Sequence, residues 1–226
     1  MRTNLHFRVR PQWTLLLALA ASILAGMAAA APDPDSGFDP RLGKPFEVRD
    51  RPVFGSAKAP ITFVEVISFK CAHCREYLER VYPTLKEQYV DTGKVRVVMI
   101  NASDDPAEAN SRIFAVGRCL NQQGKLWSQL NFMFKIASKP PSFYDDLLAN
   151  NTAINGDDLA FCLQDRATRQ LVIGDFAEYQ HLEIHGTPTF FVSMMKASGE
   201  RTKARIDGYE DLAFFQRVFD ELLKQP

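Results

Sequence analysis

Two cysteines separated by two residues, Cys71 and Cys74, combine a residue type and a spacing that can support chemistry. They lie in the stretch SFKCAHC at positions 68–74. Thiols at this spacing can form a reversible disulfide, and the thiolate of one of them is the nucleophile in thiol–disulfide exchange. His73 stands between the cysteines and, when charged, would stabilise a thiolate at Cys71. The pattern therefore predicts a redox-active dithiol.

Two other uses of this pair are open from the residues alone. A zinc half-site would need a second pair of ligands, and the chain has no second CxxC. His181 and His185 are four residues apart and could complete a composite zinc site from one helical face. A purely structural disulfide is the other alternative, although closing so short a loop removes little chain entropy. We favour the redox interpretation and expect neither a metal nor a cofactor.

The segments on either side of the pair should position it. An apolar, β-branched run at 61–67 predicts a buried strand, and apolar residues at helical spacing predict a helix from Cys71 to about residue 90. Pro83 should kink that helix. Cys71 would then face unpaired N–H groups and the positive end of the helix dipole, which stabilise a thiolate. Cys74 would lie one turn inside, shielded but close enough to bond to Cys71.

Glu65 is a carboxylate within the strand run that otherwise indicates burial. Glutamate is seldom fully buried, so one interpretation places it on an exposed side of the strand. The functional interpretation is a buried acid close to the cysteines in space. Such an acid would move protons to or from Cys74.

The rest of the chain alternates between strand and helix patterns. An apolar run at 95–100 predicts a second strand, parallel to the first through a βαβ connection. About eighty residues, beginning near Asp105-Pro106, then have helical spacing, and their aromatic residues should be core. Strands at 189–194 and 203–206 and a helix at 210–224 follow. Pro188 before the strand at 189 is either a tolerated strand-start proline or a cis Thr187–Pro188 bond. We also expect an edge strand at 46–48, a loop at 52–60 and a hairpin turn at 196–201.

The N-terminus has the features of a secretion signal. Three arginines precede an uncharged run at 13–31 that ends in small residues with an A-x-A cleavage site. The alternative is an uncleaved membrane anchor, since the run is long enough to span a bilayer. We expect a signal peptide at 1–31, a flexible leader at 32–45 and a mature chain in an oxidising compartment. Without those arginines, acidic residues outnumber basic ones by three, so we expect no nucleic-acid partner.

The chain resembles the thioredoxin fold in five features taken together. They are the strand, the CxxC at a helix start, the kinking proline, the helical insertion and the stretch GTPTFFV at 186–192. More closely, residues 46–225 resemble the DsbA-like thiol:disulfide oxidoreductases of the bacterial cell envelope. The resemblance implies an α/β thioredoxin fold with a helical subdomain inserted at about 104–168. It implies that Cys71 is the attacking cysteine and Cys74 the resolving one, and that Glu65, six positions before Cys71, is the family's acidic residue. Thr187-Pro188 would be the cis-proline loop that receives the substrate backbone. Ala72 departs from the proline often found between the cysteines, whereas His73 keeps its position.

The resemblance also implies a function. We expect a periplasmic oxidase that introduces disulfides into reduced exported proteins and is regenerated by a membrane quinone-linked thiol oxidase. The runner-up is an isomerase or reductase of the same fold, since threonine before the cis-proline occurs in isomerase-type members. Only about thirty residues lie between the expected cleavage site and the core strand, which is too short for the dimerisation domain of family isomerases. Binding or chaperone modules and zinc modules are the other classes considered.

Cys119 and Cys162 remain, both in the predicted helical segment. Exported proteins seldom leave two thiols idle, so we expect a structural disulfide between them. The alternatives are two buried free cysteines or, with neither in an activating setting, a second redox relay.

Overall fold

The computed structural model describes residues 51–101, 112–195 and 201–225. In chain order the strands are β1 (Val53–Phe54), β2 (Ile61–Ile67), β3 (Val95–Asn101), β4 (Thr189–Met195) and β5 (Arg201–Asp207). The α-helices are α1 (Ala72–Arg80), α2 (Tyr82–Leu85), α3 (Arg112–Gln122), α4 (Leu130–Ala137), α5 (Tyr144–Ala149), α6 (Gly156–Gln164), α7 (Arg166–His181) and α8 (Leu212–Leu223). A π-helical segment (Lys86–Val90) follows α2.

The five strands form one sheet in the order β1-β3-β2-β4-β5. The strand before the cysteines, β2, is central and pairs parallel to β3 and antiparallel to β4. All seven of its residues are buried. A strand covered on both faces needs a continuous apolar run, and the run at 61–67 is the sequence signal that predicted it. The predicted α/β fold with a helical segment is confirmed.

Helices cover both faces of the sheet. Residues of β2 alternate between the faces, so Val64 and Val66 pack with Tyr179 of α7 on one side. On the other side Phe63 packs against the α8 rings of Phe215 and Phe219, at centroid distances of 5.7 and 5.1 Å. Helix α1 lies on this second side. The cysteine pair is therefore carried by a helix whose apolar face is anchored in the main core.

The helices between β3 and β4 support the chain just before the cysteines. A Cβ atom at Gly117 of α3 would lie 2.8 Å from Cε2 of Phe69, so this close approach needs glycine. The Phe69 ring also packs edge-on against Phe134 of α4 at 5.5 Å. A disulfide joins Cys119 of α3 to Cys162 of α6 with their Cα atoms 5.7 Å apart. These helices thus fix the position of the Phe69 side chain, two residues before Cys71.

Several boundaries differ from the prediction. The segment at 52–60 was expected to be a loop, but it contains β1, which pairs antiparallel with β3. The first helix has a break close to Pro83, where the sequence predicted only a kink. It is interrupted at Val81, since Pro83 lacks the N–H of a continuous helix, and resumes as α2. Strand β5 is longer than predicted because its charged residues lie on an edge strand, where the apolar pattern is weak.

Some predictions fall outside the described residues. They are the signal peptide or anchor at 1–31, the leader at 32–45, the edge strand at 46–48, the helix start at Asp105-Pro106 and most of the hairpin turn at 196–201. In the part of the chain that the structure describes, no helix has the length and apolar character needed to cross a membrane.

Candidate active site

Cys71 is the N-cap residue of α1, so its side chain lies at the first turn of the helix. The backbone N–H of Cys74 donates to Cys71 Sγ at 3.4 Å. Cys71 Sγ also lies 3.1 Å from the carbonyl oxygen of Thr187, to which its thiol can donate. The sulfur is half-buried and packs against the main core. This is the position at a helix start that the sequence predicted for the first cysteine.

The surroundings of Cys71 favour its thiolate. Hydrogen bonding from the Cys74 thiol has the largest effect, and partial burial opposes it. The Thr187 side chain and the backbone N–H groups of Cys74 and His73 also stabilise the anion. Together these groups lower the pKa of Cys71 to about 5. At neutral pH the sulfur is therefore ionised and ready to act as a nucleophile or as a leaving group.

Cys74 has the opposite character. It lies on the inner face of α1 with no exposed surface. Burial raises the pKa of its thiol, and hydrogen bonding to Cys71 and the negative charge on Cys71 raise it further. The two sulfurs of the pair therefore differ in both exposure and proton affinity, so one can meet a substrate while the other keeps its proton.

The Thr187–Pro188 peptide bond is cis, as the sharper of the two sequence interpretations proposed. It immediately precedes β4, which pairs with the central strand β2. Pro188 is held by a hydrogen bond of 2.9 Å from the N–H of Gly208 to its carbonyl oxygen. The loop thereby brings Thr187 against Cys71, although 116 positions separate them in the chain.

Glu65 is fully buried on β2, so the alternative of an exposed strand side is wrong. The Tyr77 hydroxyl donates to its Oε1 atom at 2.6 Å. Burial raises the pKa of Glu65 to about 8, and the hydrogen bond from Tyr77 partly opposes that rise. Near neutral pH this carboxyl is therefore mostly protonated but can still exchange its proton.

This raised pKa makes a prediction for stability. The folded state binds a proton at Glu65 between pH 4.5 and about 8 that the unfolded state releases, so stability falls as pH rises through this window and then levels off. In the reduced protein, Glu65→Gln removes the titration. We expect its free energy of unfolding, relative to wild type, to increase by about 2 kcal/mol between about pH 5 and pH 7. Urea unfolding at a series of pH values measures it.

The matched control is Glu79→Gln, which neutralises an exposed glutamate on the same helix as the cysteines. Its stability difference from wild type should change little over the same pH range. If the Glu65→Gln difference were equally flat, Glu65 would not hold a proton in the folded state at neutral pH.

Other predicted residues have different outcomes. His73 is exposed, and the group that acts on Cys71 is its backbone N–H; stabilisation by a charged imidazole stays a prediction. His181 is the last residue of α7 and His185 lies beyond the helix, so their supposed common helical face is wrong. Sequence reasoning missed Tyr77 as the partner of Glu65. Its spacing three residues after Cys74 indicated only that it lies on the buried face of α1.

A cleft of about 190 Å³ lies beside Cys71. Phe69 and Phe134 provide apolar walls, and Lys70 and Arg75 lie at its sides. Cys71 itself lines this cleft, so a substrate chain that entered it would contact the half-buried residue. An ionised sulfur in a cleft, with a buried thiol one turn away, can form a mixed disulfide and then resolve it internally.

Comparisons with known proteins agree with this chemistry. The sequence matches the family model described as Thioredoxin over residues 47–209. Disulfide bond formation protein D of Bacillus subtilis is 24% identical over 173 residues, covering 70% of this chain and 74% of that protein. A Rickettsia typhi protein named as a protein-disulfide oxidoreductase is 27% identical over 150 residues. That match covers 62% of this chain and 54% of the relative, so the chain spans about half the relative's length.

Solved structures show the same fold. Wolbachia pipientis alpha-DsbA1 superposes with a TM-score of 0.66 at 22% identity, covering 77% of this chain and 91% of that one. Oxidised BdbD from Bacillus subtilis superposes with a TM-score of 0.62 at 21% identity, covering 79% of this chain and 95% of that one. Since the family model spans most of the sequence, this chain belongs to the thioredoxin family.

Proposed function

We propose that this protein is a periplasmic thiol oxidase that introduces disulfides into reduced exported proteins by exchange at Cys71 and Cys74. The names of the relatives support disulfide chemistry. The signal-like sequence at 1–31 supports export. The proposed direction of the reaction, oxidation of the substrate, depends on the different properties of the Cys71 and Cys74 thiols.

The observation that carries the proposal is the contrast between the two thiols. The reduced form contains a Cys71 anion that the helix start and the neighbouring donors stabilise, with its pKa lowered to about 5. Stabilising the reduced form of a dithiol makes its disulfide a stronger oxidant. The Cys71–Cys74 disulfide is therefore expected to accept electrons from substrate thiols.

The proposed reaction begins when a substrate thiolate attacks Cys71 Sγ of the oxidised pair. The Cys71–Cys74 bond breaks, Cys74 leaves, and Glu65 supplies the proton that the buried sulfur takes up. A second substrate thiolate then attacks the substrate sulfur of the mixed disulfide and releases Cys71 as a thiolate. Two electrons pass from the substrate to the cysteine pair. We assign binding of the substrate backbone to the cis Thr187–Pro188 loop beside Cys71.

The reduced pair must then be oxidised again. We propose that a membrane thiol oxidase linked to a quinone takes the two electrons through a mixed disulfide with Cys71. This partner follows from the family resemblance. It fits a protein in which the half-buried Cys71 lines a cleft while Cys74 is fully buried.

A thiolate titration tests the proposal. The ultraviolet absorbance of the thiolate in the reduced protein should rise with a midpoint near pH 5. Cys71→Ser should lack this transition, which assigns it to Cys71. A midpoint near or above about pH 8, the range of an ordinary thiol, would contradict the oxidase proposal.

Equilibration with glutathione separates oxidase from isomerase and reductase. An oxidase should have a reduction potential of about −120 mV, whereas isomerases have potentials of about −180 mV and reductases of about −270 mV. A potential of about −180 mV together with rapid refolding of a scrambled substrate would favour the isomerase instead. Thr187 before the cis-proline supports this second function, because threonine occurs at that position in isomerase-type members of the family.

A further inference from the structure

Tyr77 is a buried phenol that the exchange reaction as described above does not use. Its side chain has no exposed surface, and its hydroxyl donates to Glu65 Oε1 at 2.6 Å. Tyr77 lies three residues after Cys74 on α1, so the two side chains share one face of the helix. The phenol is therefore a neighbour of both the buried acid of the central strand and the buried thiol.

The groups that surround this pair are mostly apolar. The cross-strand partners of Glu65 are Met99 on β3 and Phe190 on β4. The Tyr77 ring packs against Phe190 at 4.8 Å and against Phe215 of α8 at 5.6 Å. The titratable neighbours that influence Tyr77 are Glu65 from β2, Tyr82 from α2 and Cys74 from its own helix. In the part of the chain that the structure describes, no ion pair joins Glu65 to an Arg, Lys or His, so the phenol is the group that stabilises its charge.

The two oxygens of Glu65 have different surroundings. Oε1 accepts the Tyr77 hydrogen bond, whereas Oε2 is buried with no hydrogen-bond partner among the described residues. Oε2 is thus the oxygen available to gain or lose a proton. Resting on the proposed function, we propose that Tyr77 is a positioning residue: its hydrogen bond to Oε1 favours the ionised form of Glu65, which accepts the Cys74 proton.

The step concerned is closure of the Cys71–Cys74 disulfide during reoxidation. The Cys71 thiolate attacks a disulfide oxidant, forming a mixed disulfide and releasing one oxidant thiolate. The Cys74 thiol gives its proton to Glu65 Oε2, and the resulting thiolate attacks Cys71 Sγ. The Cys71–oxidant bond breaks and the second oxidant thiolate leaves, so two electrons have passed to the oxidant. Glu65 then returns its proton to solvent.

Loss of the Tyr77 hydroxyl should weaken the base in this step. A hydrogen bond to a charged group stabilises the charge enough to change a pKa by about one unit. The pKa of Glu65, about 8 in the intact protein, would rise by about that amount in Tyr77→Phe. The carboxylate fraction at neutral pH, and with it the rate of closure, should fall about ten-fold.

The experiment mixes the reduced protein with saturating oxidised glutathione, quenches with acid, and separates mixed from intramolecular disulfide by mass spectrometry. Closure is the phase whose rate does not depend on glutathione concentration. In Tyr77→Phe its pH profile should move about one unit to higher pH. Replacing Tyr77 with difluorotyrosine, a stronger donor that keeps the ring, should move the profile to lower pH and serves if Tyr77→Phe does not fold.

Tyr89→Phe is the matched control, because it also removes a phenol bound to a carboxylate, that of Asp220 at 2.9 Å. Its closure profile should coincide with wild type. Addition of Tyr77→Phe to Glu65→Gln should cause no further change in the profile. If the Tyr77→Phe profile matched wild type while wild type closed normally, the role of Tyr77 would be refuted and the proposed function would stand. If wild type itself formed no mixed disulfide, the proposed function would fail instead.

Discussion

Cys71→Ser is expected to lower the rate of disulfide exchange by at least about 10³-fold, the scale on which loss of a nucleophile lowers enzymatic rates. The serine hydroxyl can still occupy the N-cap of α1, because serine is a preferred N-cap residue. Folding should therefore survive while the nucleophile is lost. Oxidation of a reduced, unfolded substrate protein, followed by its regained activity, measures the effect.

Cys74→Ser is the informative control for that variant. It keeps the half-buried Cys71 sulfur but removes the buried sulfur that closes the disulfide with Cys71. We expect its Cys71 thiolate to attack disulfides of substrate proteins, displacing one substrate thiolate, and to accumulate as mixed disulfides, which Cys71→Ser cannot form. If Cys71→Ser supported disulfide formation as well as wild type does, the protein would be a binding module on a thioredoxin fold.

Removal of the second cysteine pair is expected to have the largest effect on stability. Cys119 and Cys162 are 43 positions apart, and in the chain-entropy model a loop of this length contributes about 4 kcal/mol to stability. The double variant Cys119→Ala/Cys162→Ala should unfold at a temperature lower by about 10 °C. Thermal unfolding followed by circular dichroism measures this shift.

Exchange at Cys71 should be retained in the folded double variant, because the disulfide joins α3 and α6 and lies outside the active pair. The control for packing is a comparison in strong reductant. Wild type then lacks the crosslink too, and the remaining difference reports only the two lost sulfur atoms. An unchanged unfolding temperature in the absence of reductant would show that the crosslink adds no stability.

The local sequence was sufficient to predict the strand and the helix that position the cysteine pair. A continuous β-branched run predicted β2, since a strand buried on both faces needs apolar residues throughout. The CxxC at the start of a helical pattern placed Cys71 at an N-terminus, where unpaired N–H groups stabilise an anion for any helix. The sequence did not predict β1, because a strand of two residues is too short to show a periodic pattern.

The amino-acid sequence by itself determined which sulfur would be held at the helix start and which would lie one turn inside, because both positions follow from local backbone geometry. Only the tertiary structure decided what surrounds them. Thr187 reaches Cys71, and Tyr77 reaches Glu65, because pairing of β2 with β4 and docking of α1 on the sheet bring distant residues together. The pKa values of buried groups depend on those neighbours, which no pattern in the sequence specifies.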